Sequence, residues 1–296
     1  MDRLLTLEMF VAVASEGGFA AAARKLGSSP PAVTRGIAAL EARLGTSLFH
    51  RSTRAVALTD AGAAFLEQAR RILADLAGAE RELRGAEAEP RGQLHLTAPV
   101  MFGRLHVLPV VGELMAQHRD LMVRMMLIDR NVRIVEEGID VAVRIGALAD
   151  SSLKAVRIGA VRQMLVASPG YLARRGAPRA AADLAGHELI GAMGPRSTTE
   201  WPLASGRWRL DPRPRLVLNT VDGILAAAEA GQGIANLLSY QVIDALDAGR
   251  LISLLPEEQP PALPVHLLFE PSRAGLPAVR LFIAAMKARA RMAGLV

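Results

Sequence analysis

Ser29-Pro30-Pro31-Ala32-Val33-Thr34-Arg35-Gly36-Ile37-Ala38-Ala39-Leu40-Glu41-Ala42-Arg43-Leu44-Gly45 is the stretch on which the reading of this 296-residue chain turns. Ser29 is placed as a helix N-cap, and Pro30 and Pro31 fall in the first turn, where a missing N–H costs nothing. Val33, Ile37, Leu40 and Leu44 recur at helical spacing and give one buried stripe, which Gly45 ends. The opposite face shows Ala32, Thr34, Arg35 and Ala38, small and polar enough to enter a major groove. Upstream, Leu4, Leu7, Phe10, Val11 and Ala14 make an amphipathic helix stopped by Gly17-Gly18. A short Ala-rich helix, Ala20 to Leu26, follows and ends at Gly27. Two short helices, a glycine turn and a third helix form a helix-turn-helix.

Downstream, Leu48 to Leu58 alternates across a basic turn, as a wing does. Its Arg51, Thr53 and Arg54 suit phosphates or a minor groove, against the plain alternative of a solvated surface. Residues 1–58 hold seven Lys/Arg against four acids, so the positive charge of this head fits a polyanionic partner. Thr59 caps the next helix, with Asp60 in its first turn. From there Phe65, Ala69, Ile72, Leu76, Ala79 and Leu83 recur in steps of four and three, a heptad seam. Such a seam joins two copies of the chain or packs on its own domain; periodicity alone leaves both open. Pro90-Arg91-Gly92 ends the helix.

From Gln93 onward strands and helices alternate, which predicts an α/β region with a parallel-type sheet. Expected strands are Leu94 to Ala98, Leu121 to Ile128, Ile139 to Gly146, Met164 to Ala167, Leu216 to Leu218, Ile234 to Leu237 and Leu263 to Phe269. Expected helices are Phe102 to His118, Asn131 to Glu137, Val221 to Ala230 and Ala278 to Ala293. The chain crosses to a second lobe near Arg162 and returns near Val265, and the cleft between two such lobes is the default ligand site. Ligands in α/β sheets lie beyond the carboxyl ends of strands. That nominates Pro99, Val100, Met101, Ile128, Arg144, Ile145 and Gly146 from one lobe, with Ser197, Thr198, Asn219, Thr220 and Val221 from the other. Arg144 is the candidate to pair an anionic group. Its alternative use is to tie two loops together.

The head residues from Phe19-Ala20-Ala21-Ala22-Ala23-Arg24-Lys25-Leu26 through Ser29–Glu41, Leu44-Gly45-Thr46-Ser47-Leu48-Phe49-His50-Arg51 and Leu58-Thr59-Asp60-Ala61-Gly62 resemble the DNA-binding signature of LysR-type transcriptional regulators. Thr97–Arg104, Leu108-Pro109, Glu137–Gly146 and Ala230-Gly231-Gln232-Gly233-Ile234-Ala235 resemble the effector-binding region of the same family. The resemblance implies an N-terminal winged helix-turn-helix over residues 1–58 and a linker or dimerisation helix over 59–89. A two-lobed region like a periplasmic binding protein follows over 90–296, with lobe 1 at about 91–162 and 266–296 and lobe 2 at about 163–265. It implies a regulator that binds dyad-symmetric double-stranded DNA as a homo-oligomer, dimer or tetramer, and responds to a small-molecule effector. The apolar Met101 and Phe102 at the cleft mouth, with Arg144, lead us to expect a small organic acid or aromatic. The transcription machinery is a further expected partner. Ser29, Pro30, Pro31, Thr34 and Arg35 are the DNA-facing positions of its third helix. At Pro30 the family often carries Gln; proline has no side-chain amide for a base edge, so readout shifts to Thr34, Arg35 and DNA shape. At Pro99 a family hydroxyl is replaced, removing one hydrogen bond to a carboxylate.

Composition narrows the alternatives. The chain is 51% hydrophobic and 22% charged, enough apolar material for packed domains, and its formal charge is +6. It has no cysteine, which excludes disulfides, thiolate metal sites and thiol nucleophiles. At 4% aromatic residues, base-stacking platforms of the single-strand-binding kind are not expected. There is no run of 18 apolar residues, and Asp2, Arg3 and Glu8 near the start do not read as a secretory leader, so a cytoplasmic protein without membrane association is expected. Gly231-Gln232-Gly233 lacks the third glycine of a dinucleotide fingerprint, His187-Glu188 lacks the second histidine of a zinc-protease helix, and Glu136 and Glu137 point apart on a helix. No catalytic set, cofactor or metal is therefore expected. The rival to a regulator is a small-molecule-binding or carrier protein in which the head only oligomerises.

Overall fold

The computed structural model describes residues 2–51, 56–83, 90–130, 132–148, 150–193, 200–209 and 214–295. They fall into two units, 1–88 and 89–296. In the first, helix α1 (Arg3–Glu16) starts where the Asp2 carboxylate accepts the N–H of Leu4 at 3.0 Å and ends at Gly17 in the left-handed region. α2 (Phe19–Lys25) and α3 (Pro30–Leu44) follow. The Ser29 hydroxyl accepts the N–H of Ala32, both prolines sit in the first turn of α3, and Gly45 closes it at φ 69°. Strands β1 (Phe49–Arg51) and β2 (Val56–Leu58) pair antiparallel, Phe49 opposite Leu58 and Arg51 opposite Val56. Helix α4 (Asp60–Leu83) completes the unit.

Phe10, Val13, Val33, Ile37, Leu40 and Leu48 are fully or almost fully buried at the centre of this head, where Phe10 packs against Phe49 and Phe65 at 5.4 Å each. Two polar contacts join the elements. The Glu41 carboxylate of α3 accepts the N–H groups of Leu48 at 2.8 Å and Phe49 at 3.3 Å, fixing where the chain leaves α3 for β1. The Thr59 hydroxyl donates to the Ser47 carbonyl and accepts the N–H of Gly62. Gly62 has to be glycine: a Cβ there would lie 2.0 Å from the Leu48 carbonyl oxygen.

In the second unit, strand β3 (Gly92–Ala98) leads into one continuous helical run. It comprises α5 (Val100–Phe102), a π-helical turn over Gly103–Val107, and α6 (Leu108–Gln117). Strands β4 (Leu121–Leu127), β5 (Val141–Ile145) and β6 (Lys154–Val161) complete the outward path. After Arg162 comes β7 (Gln163–Ala167), then α7 (Pro169–Arg175), β8 (Leu189–Ala192), and the hairpin of β9 (Glu200–Leu203) with β10 (Gly206–Arg209). Next are β11 (Leu216–Leu218), α8 (Val221–Glu229), β12 (Ile234–Leu238), α9 (Ser239–Asp247) and β13 (Ile252–Leu254). Strand β14 (Leu263–Phe269) and α10 (Pro277–Met292) end the chain.

The strands form two five-stranded sheets in the orders β4-β3-β5-β14-β6 and β11-β8-β12-β7-β13. Both are mixed, which refines the parallel-type expectation: β3 is parallel to β4 and β5, but β14 runs antiparallel to β5 and β6. In the second sheet β8 is parallel to β11 and β12, while β7 runs against β12 and β13. The cause is the pair of crossings. With only Arg162 between β6 and β7, the chain passes straight from sheet to sheet, without the helical crossover that parallel neighbours need. β7 enters the second sheet and β14 re-enters the first from the shared side, so each opposes strands that run toward it. It follows that the carboxyl ends of β3, β4, β5, β8, β11 and β12 all face the junction of the two lobes.

Three further expectations shift. All of β14 from Leu263 belongs to the first sheet, so the return falls before Leu263. The expected helix from Asn131 to Glu137 is a turn: the Glu137 carboxylate accepts the N–H of Arg133, the Glu137 N–H reaches the Arg133 carbonyl, and Gly138 at φ 65° ends it; Asn131 lies outside the described residues. The helix expected from Phe102 begins at Val100, with Pro99 as its N-cap. The first lobe's core gathers Phe102, Val107, Val110 and Leu114 against Leu94, Leu96, Val141 and Val143, with Phe282 and Met286 of α10. The buried Asp140 carboxylate meets Arg273 at 2.9 Å and accepts the N–H of His95 at 2.8 Å.

Candidate functional site

On α3 the stripe Val33, Gly36, Ile37 and Leu40 is buried, and Pro30, Pro31, Thr34, Arg35 and Ala38 are exposed on the other side, beside the exposed cap Ser29. The separation follows from the helical period: one face is consumed by the core, so the other projects into solvent with a hydroxyl and a guanidinium on successive residues. The Thr34 hydroxyl donates to the Pro30 carbonyl at 2.9 Å, which turns its lone pairs outward as acceptors. Arg35 brings a planar five-donor fork. A convex, basic helix face narrow enough for a major groove results. Thr53 and Arg54 lie outside the described residues, as does the side chain of Arg51, whose backbone ends β1.

Along α4 the expected seam divides. Ala69 is fully buried and Phe65 half-buried in the head core, together with Leu66 and Leu73, so these positions belong to the chain's own fold. This corrects the seam at its first two residues. The head took the stripe of Gly62, Leu66, Ala69 and Leu73, one step around the helix. Ile72, 45% exposed, and the half-buried Leu76 remain on the outer side. The side chains of Ala79 and Leu83 lie outside the described residues.

In the second unit, the loops after the strand ends meet at the lobe junction. The backbone N–H of Val100 donates to the Asp129 carboxylate at 3.2 Å, and Val100 itself is exposed while Pro99 and Met101 are buried. Gly146, at φ 109°, donates its N–H to the Pro264 carbonyl. Asn219 and Thr220 are exposed before α8, and the Thr220 hydroxyl is committed to capping Gly223. Val221 packs into the cores of both lobes. Ser197 and Thr198 lie outside the described residues.

Arg144 takes its alternative use. Its guanidinium donates to the carbonyls of Arg130 at 3.4 Å and Val132 at 3.3 Å, tying down the loop after β4. Along β5 successive side chains alternate: Val141, Val143 and Ile145 join the core that holds Met101, whereas Ala142 packs on the other face of the sheet, in the cluster that includes Ile128. The period of two sends Arg144 to that second face, away from Met101 and Ile145.

Sequence reasoning missed the residues that join the lobes. Phe102 meets Tyr240 edge-on at 5.2 Å, His106 lies 4.7 Å from Phe102 and 5.7 Å from Tyr240, and Arg104 pairs with Asp222 at 3.2 Å. Burial, with the positive charge of Arg289 second, holds His106 down at about 4. Phe102 and His106 are helical neighbours four residues apart, but no sequence spacing signals their contacts with Tyr240 or that of Arg104 with Asp222, more than a hundred positions away.

Comparison with known proteins agrees with this architecture. Residues 4–63 match the family described as bacterial regulatory helix-turn-helix protein, lysR family, and residues 87–291 match the LysR substrate binding domain. The HTH-type transcriptional regulator PtxR of Pseudomonas aeruginosa is 35% identical over 285 residues, covering 95% of this chain and 91% of PtxR. CrgA of Neisseria meningitidis, a LysR-type transcriptional regulator of solved structure, superposes with a TM-score of 0.63 at 27% identity, covering 98% of this chain and 99% of CrgA. The full-length structure of the Vibrio cholerae virulence activator AphB gives 0.61 at 26% identity, covering 97% and 99%. With both halves matched, and a relative at that identity aligned along nearly its whole length, this chain belongs to the LysR family of transcriptional regulators.

Proposed function

We propose that this regulator acts in the cytoplasm as a homo-oligomer that lays two copies of α3 in successive major grooves of a dyad-symmetric operator, and that a small organic acid or aromatic effector held at the lobe junction biases the arrangement of the heads. The observation that carries the reading is the exposed Thr34-Arg35 face on a helix whose other face is locked in the head core. Two-fold symmetry in the protein demands a palindrome with half-sites about one or more helical turns apart. The ligand acts only through a difference in its affinity for two arrangements of the assembly. At the junction, Val100, Ile145, Gly146, Asn219 and Thr220 line the strand ends, where ligands of α/β sheets lie.

Selection of bound duplexes from a random pool tests the DNA half: dyad-symmetric sites are expected, and asymmetric or unselected DNA overturns it. Thermal shift with a panel of small acids and aromatics tests the effector half, because a ligand of the native state raises the melting temperature by mass action. A hit whose shift disappears in Val100→Trp supports the junction. A hit indifferent to that substitution places the effector elsewhere.

A further inference from the structure

We propose that the outer end of the second lobe, at the opposite end of its sheet from the lobe junction, is a second binding site, for a small polyanion with a short carbon body. A cavity of about 580 Å³ opens there, in the size range of small-molecule pockets. It is lined at the amino-terminal ends of β8, β11 and β12, the ends that the sheet topology turns away from the junction. Three guanidiniums line it, those of Arg174, Arg175 and Arg215, and one carboxylate, that of Glu188.

The balance of charge identifies the occupant. Glu188 stands 3.6 Å from Arg175 and 3.7 Å from Arg215, so a single carboxylate holds two arginines side by side and an excess of two positive charges remains. Arg174 donates one N–H to the Gly231 carbonyl at 3.1 Å, a contact that fixes its position at the rim. Each fork otherwise keeps most of its five donors for a ligand. The walls are rigid: the buried Tyr171 accepts the N–H of Glu188 on its hydroxyl at 2.8 Å and meets His187 Nδ1 at 3.1 Å. Leu189 and Leu216 supply an apolar floor. A bare inorganic anion leaves such a space largely empty. A di- or tricarboxylate, or a phosphorylated compound of similar size, places its oxygens on the forks and its carbons on the leucines.

Titration calorimetry of the full chain with citrate and with 3-phosphoglycerate, with acetate as the control, tests the site and separates carboxylate from phosphoryl chemistry. Saturable binding of either probe but not acetate is expected, weakened about tenfold or more in Arg174→Ala and in Arg215→Ala, the loss typical of a charged hydrogen bond. Both side chains are exposed, so the variants keep the fold, and they lie outside the junction, so the effector response of the proposed function persists in them. Absence of saturable binding by both probes, or binding weakened less than about threefold by both substitutions, overturns the proposal.

Discussion

In the proposed reading Arg35 and Thr34 meet the DNA, while Gly62 in the first unit and Asp140 in the second show how closely single residues hold each unit's own fold. Gly62→Ala drives a Cβ into the Leu48 carbonyl, so the head is expected to lose about 2 kcal/mol or more in urea unfolding, while Ala63→Ser beside it costs little. Asp140→Ala removes the buried carboxylate that meets Arg273 and accepts the N–H of His95, while Arg273 keeps its longer contact of 3.7 Å with Glu270; about 3 kcal/mol of second-unit stability should go with it. His106 supplies a pH dependence with a definite sign. Its folded value of about 4 lies below the ordinary 6.5, so the unfolded chain binds the proton first. The stabilisation is complete above pH 6.5 and is lost as pH falls toward 4. Melting curves across that window should fall more steeply for the parent chain than for His106→Phe, and equal slopes contradict the assignment.

At the scale of elements, legibility followed local chemistry. Ser29, Pro30-Pro31 and Gly45 bracket α3 in the sequence as they do in the structure, because caps and prolines act within one turn. Strands β6, β8, β9 and β10 escaped the reading: β6 starts with the exposed Lys154 and Ala155 and has an irregular burial pattern, and the other three carry four residues each. The division of the candidate ligand residues between two faces of one sheet was equally hidden, since it depends on which face each neighbouring helix covers. α4 is the instructive element. The sequence steps of four and three predict a seam between chains, but Ala69 and Phe65 at its start pack into the chain's own head. The two uses are separable. Ile72→Lys with Leu76→Lys should weaken self-association about tenfold or more in sedimentation while the head stays folded. Phe65→Ala should instead destabilise the head by about 3 kcal/mol.

The whole molecule joins a basic head to a two-lobed receptor, and the proposed reading assigns sequence recognition to the first and chemical sensing to the second. Among the described residues no single helix is long and apolar enough to cross a membrane. The head's positive charge makes DNA affinity depend on released counterions, so operator binding should weaken by orders of magnitude between about 50 and 200 mM salt. Fluorescence anisotropy of the full chain on duplex DNA from upstream of its own gene, beside Arg35→Ala, tests the central claim most directly. The account predicts saturable, salt-sensitive binding that Arg35→Ala weakens about tenfold or more, with the fold unchanged. Parent and variant binding alike, or a chain indifferent to duplex DNA at low salt, would contradict it.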